Sequence, residues 1–73
     1  MKNSRLFTFL KNSALADKEK SIMSLELLSE HPAGIGDHTT ADFYNNAEEA
    51  LRNLADAEDR LEMLQRHFPA HGG

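Results

Sequence analysis

The chain has 73 residues, a formal net charge of -4, no cysteine and no tryptophan, and 40% of its residues are hydrophobic. That length supports one small domain, and the missing cysteines exclude disulfide staples and thiolate metal sites, which leaves self-association as the favoured way to complete a core. Residues 1–30 carry five Lys and Arg against four acids and residues 37–66 carry three Arg against eight acids, so the clustered cations that neutralise nucleic-acid phosphates are lacking.

At the start of the chain Lys2 and Arg5 precede LFTFL, and Ala14–Ala16 has the A-x-A form of a cleavage site. The apolar run is interrupted at Lys11 and Asn12, short of the about seven to fifteen residues that a secretory signal uses. It reads instead as the first turns of a helix. No stretch approaches the ~20 apolar residues of a membrane span, so a soluble protein without membrane contact is expected, and the absence of cysteine fits a reducing cytoplasm.

Helical spacing predicts a first helix from about residue 4 to residue 30. Phe7, Leu10, Ala14, Ile22, Leu25 and Leu28 share one face, with Leu15 at its edge and Lys18 intruding. Phe9, Ala16, Met23 and Leu27 form a second stripe about half a turn away. A helix that is apolar on two sides is normally buried on two sides, and a lone hairpin covers only one.

Residues 31–39 form the connector, HPAGIGDHT. Pro32 disfavours helical geometry at His31 and so stops the first helix, while Gly34 and Gly36 let the chain reverse. Ile35 between them is expected to plug the open end of a bundle, and Asp37 or Thr39 to cap the helix that follows.

A second helix is predicted over about residues 40–67, followed by a flexible tail at 68–73 that holds Pro69, Gly72 and Gly73. Phe43, Ala47, Ala50, Leu54, Ala57, Leu61, Leu64 and Phe68 alternate in steps of four and three, an unbroken heptad seam. Thr39 with Asp42 is a variant capping box, and the acids of the first turns suit the positive end of the helix dipole. Glu48 with Arg52, Asp56 with Arg60 and Glu62 with Arg66 each place an acid four residues before a base, a stabilising order of ~0.3 kcal/mol per pair. Alternation of Ala with Leu and Phe lets a partner helix approach closely. Tyr44, Leu51 and Ala55 add a shorter strip beside the seam.

The expected fold is therefore all-α: residues 1–73 as one antiparallel two-helix hairpin that dimerises into a four-helix bundle. The expected dimer interface takes Phe9, Ala16, Met23 and Leu27 from the first helix and Tyr44 and Leu51 from the second. No cofactor is expected.

The residues offer the elements of two other chemistries. His31, Asp37 and His38 carry side chains that suit zinc or another divalent cation, but adjacent Asp and His at a helix start diverge, and the spacing matches no metal motif. His67 and His71 have a helical ligand spacing, which Pro69 breaks. Catalysis has still less to build on. There is no cysteine nucleophile, no G-x-S-x-G, no phosphate-cradling G-x-x-x-x-G-K, and no Glu-x-x-His for a carboxylate-bridged metal core.

The combination of LELLSEHPAGIGDH, DFYNNAEEAL and LADAEDRLEML resembles small uncharacterised helical proteins of T4-like tailed phages of marine bacteria and cyanobacteria. The resemblance covers about residues 10–68 and is most distinctive in the connector. It implies a phage-encoded protein made in the host cytoplasm, and it brings no functional residue with it. The leading expectation is a non-enzymatic, self-associating helical protein that docks on a protein partner. A metal-binding module using the connector histidines is the alternative, and an acidic nucleic-acid mimic the third.

Overall fold

A computed structural model describes residues 4–30 and 40–69. Within them lie two helices, α1 over Arg5–Glu30 and α2 over Thr40–His67. These are the helices that the periodicity predicts, and the two pack side by side as an all-α hairpin. The expected caps at Asp37 and Thr39, the Ile35 plug and the reversal at Gly34 and Gly36 lie outside the described residues.

The start of α1 is set by a residue whose capping role the hydrophobic pattern does not reveal. Ser4 stands just before the helix, and its Oγ accepts a hydrogen bond from the Phe7 amide at 3.0 Å. One of the amides that a helix start leaves without a carbonyl is satisfied in this way. Ser4→Ala is accordingly expected to cost about 1 kcal/mol of stability. A chemical-denaturation midpoint equal to that of the unsubstituted chain would show the cap to be idle. At the far end of α2 the Phe68 amide still donates to the Leu64 carbonyl, at 2.9 Å, and Pro69, with no amide proton, ends the series.

The helices run antiparallel. Leu10 lies in one hollow with His67 and Phe68, whereas Leu27 and Leu28 share another with Asn46 and Ala50. Between these ends the helices meet along small side chains: Ala14 and Ala57 are wholly inaccessible, and Ala50 and Ser21 nearly so. The eight seam residues, seven within α2 and Phe68 just after it, are all buried or half-buried, as a heptad stripe facing one neighbour requires. In α1 the buried line is Phe7, Ala14 and Ser21, spaced by sevens, with Leu28 half-buried at its end.

Ser21 is the departure from the sequence reading, which did not include it on that face. Its hydroxyl donates to the Asp17 carbonyl one turn back, at 2.8 Å. With its polar atom satisfied inside its own helix, serine packs as a residue scarcely larger than alanine.

This core is thin. Among the described residues no large side chain is fully buried, because the seam closes on alanine and serine and leaves Ile22, Leu25, Leu54, Leu61 and Leu64 half-covered at its flanks. The molecule measures 49 × 16 × 16 Å with a radius of gyration of 15.9 Å, against ~11 Å for a compact chain of this length. It exposes 5578 Å², where a folded monomer of 8.2 kDa exposes ~4500 Å².

Candidate interaction surfaces

Two polar links straddle the seam and define the two sides of the hairpin. Asp17 and Lys18 are neighbours on α1 and therefore point about 100° apart. On one side Arg60 Nη2 donates to Asp17 Oδ2 at 2.8 Å while its Nε donates to Asp56 Oδ2 at 3.0 Å. On the other side Lys18 Nζ stands 3.8 Å from Glu58 Oε2.

The guanidinium of Arg60 offers donors in a fixed fork, and here the fork spans two carboxylates on two helices. The Asp17 hydrogen bond above all, opposed by some desolvation and reinforced by the charge of Asp56, raises the pKa of Arg60 above its ordinary value. The Asp56–Arg60 pair was legible as an i, i+4 spacing. Its extension to Asp17 was not, since nothing local aligns residues 17 and 60. Glu62 and Arg66 also pair as expected, whereas Glu48 and Arg52, both exposed, do not appear among the ion pairs of the described residues. A solvated pair gains too little to hold two long side chains in one geometry. Lys18, the apparent intruder in the apolar face, lies half-exposed along the seam and carries its ammonium to the rim beside Glu58.

The Arg60 side is a groove. Leu10, Ser13, Met63, Leu64 and Phe68 line a hollow of about 520 Å³ near the chain ends. Ser24, Leu27, Leu28, Asn46 and Ala50 line one of about 470 Å³ toward the connector. Between them Asp17, Lys20, Asn53, Asp56 and Arg60 form a polar waist.

The six expected interface residues are all exposed, the five large ones between 56% and 64%, yet they do not form one surface. Phe9, Ala16 and Met23, spaced by sevens, run along the outer back of α1. Leu27 opens into the groove. Tyr44 and Leu51 precede Glu58 by whole heptads and so lie on the Lys18 side. Leu6 is as exposed as these and belonged to neither predicted stripe; its spacing of 21 residues from Leu27 is the signal that places it on the groove side.

His31, Asp37, His38 and His71 lie outside the described residues, as do Pro32, Gly34, Ile35 and Gly36. His67 is exposed at the rim of the apolar hollow. Among the described residues no group of three or more His, Cys, Asp or Glu is arranged to hold a metal, and every buried side-chain polar atom has a partner. No helix there is long and apolar enough to cross a membrane. Comparison with known protein families, curated proteins and solved structures finds no match to this chain.

Proposed function

We propose that this chain is a non-enzymatic interaction protein, a helical hairpin that pairs with a second copy of itself to complete a four-helix bundle and offers its remaining apolar surface to a protein partner. The setting that suits it is the host cytoplasm, as a phage-encoded accessory or regulatory protein. The observation that carries this reading is the surplus of surface. The chain exposes ~1000 Å² more than a folded monomer of its mass should, and a standard protein–protein interface covers ~800 Å² on each partner. Large apolar side chains also lie exposed on more than one side of the hairpin, so one side can meet a second copy while another stays open to a partner.

Sedimentation equilibrium is the direct test, with thermal melts across the same concentrations. A particle of twice 8.2 kDa is expected at ~50 µM, with a melting temperature that climbs as concentration rises, because association stabilises the folded chain by mass action. A monomer throughout, with one fixed melting temperature, would end the reading.

A further inference from the structure

The groove side of the hairpin is self-complementary. Along α1 it presents Leu10, Ser13, Asp17, Lys20, Ser24 and Leu27, in steps of three and four, and all six line its hollows. Read from either end the order is Leu, Ser, charge, charge, Ser, Leu, with acid and base exchanged. Its midpoint falls between Lys18 and Glu19. Along α2 the groove presents Glu49, Asn53, Asp56, Arg60, Met63 and His67. Turned end for end about Glu58, Asp56 falls on Arg60, Asn53 on Met63 and Glu49 on His67, so the charged pair at the centre again matches acid with base. The two midpoints are at one level of the hairpin, since Lys18 and Glu58 touch across the seam at 3.8 Å.

We infer that this side is the face of a homodimer in which two copies stack about a two-fold axis perpendicular to the helices at the Lys18–Glu58 level, α1 antiparallel to the partner's α1 and α2 to the partner's α2. The inference rests on the self-association proposed above and specifies its geometry. Leu10 then lies on the partner's Leu27, Ser13 on the partner's Ser24, and Asp17 on the partner's Lys20. The small serines allow the two α1 helices to come close while the leucines close the ends. Lys20 appears in no ion pair of the described residues, and the partner's Asp17 supplies one. The waist then holds equal numbers of carboxylates and cations, which is what burial of charge in an interface requires. A face of 49 by 16 Å also matches the ~800 Å² that a standard interface covers on each partner.

Other stackings are less complementary. Laying α1 over the partner's α2 at the same level keeps opposite charges together but sets Leu27 on the partner's Glu49 and Leu10 on the partner's His67. Using the Lys18 side about the same axis brings Glu58 against the partner's Glu58.

The absence of cysteine makes a direct test available. Ser13→Cys and Ser24→Cys chains, each with a single substitution in the full sequence, are mixed in equal amounts in a glutathione redox buffer. Disulfides require Cα atoms within about 7 Å, so the mixed disulfide is expected to make up ~90% of the cross-linked product, against the half that random pairing gives. A random distribution, or an excess of either homodisulfide, overturns this geometry. The unsubstituted chain in sedimentation separates the two levels: a dimer that cross-links at random leaves the self-association standing without this face, and a monomer removes both.

Discussion

Ala57→Leu is expected to destabilise the hairpin by about 2 to 3 kcal/mol, the upper range for overpacking a well-filled contact. Ala57 is fully inaccessible and lies in the α2 seam that faces the line of Ala14 and Ser21 on α1. An isobutyl group there has no cavity to enter, so it can be accommodated only by separating the helices, and separation weakens every contact of the seam together with the Arg60–Asp17 hydrogen bond. A domain of this length is stable by only ~4 to 11 kcal/mol, so the loss is a large fraction of the whole. Ala55→Leu is the control, because Ala55 is exposed two residues away and leucine is nearly as good a helix former as alanine. Its effect should stay within about 0.5 kcal/mol. Urea denaturation followed by circular dichroism gives both values, and equal midpoints for the two variants would mean that the helices do not meet at Ala57.

Leu27→Lys is expected to turn the dimer into a monomer while leaving the hairpin folded. Burying a leucine contributes ~1.5 to 3 kcal/mol, and the substitution enters a symmetric dimer twice. The dissociation constant should therefore rise at least ~100-fold. Lysine suits the monomer at this position, near the C-terminal end of α1 where the helix dipole favours a cation, and Glu49 lines the same hollow. Loss of dimer with unchanged helicity thus reports the interface rather than the fold. Leu51→Lys, on the opposite side and as exposed, should leave the dimer intact. If Leu51→Lys dissociates the dimer and Leu27→Lys does not, the second copy sits on the Lys18 side.

Several features were legible because they are local. The bounds of both helices follow from periodicity and from Pro32 and Pro69, with the same physics acting on every turn. The α2 seam was read residue by residue, since a 4-3 alternation over eight positions has only one way to face a neighbour. The Asp56–Arg60 and Glu62–Arg66 pairs were read for the same reason: both partners lie one turn apart on a single helix.

Ser21 was missed because residue type is a poor guide where a side chain can satisfy itself. Its hydroxyl is turned onto the Asp17 carbonyl, and what remains to be packed is a small, nearly apolar volume. Lys18 misled in the opposite sense, since a long side chain can lie along a seam and still deliver its charge to the edge.

The grouping of exposed residues needed the paired helices. Phe9, Met23, Leu27, Tyr44 and Leu51 are each exposed, and a helical projection identifies them as apolar residues outside the main seam. Which of them share a surface depends on how the two helices are rotated about their own axes when they pack, and on their relative register. Both are set by contacts between residues far apart in the chain, Ala14 and Ser21 against α2 and Asp17 against Arg60 at a separation of 43 residues. Hydrophobic periodicity along one helix specifies that a face will be buried; it carries no information about the rotation of the neighbour that buries it. That rotation divides the candidate residues between the back of α1, the groove and the Lys18 side, and aligns the midpoints of the two groove stripes at one level.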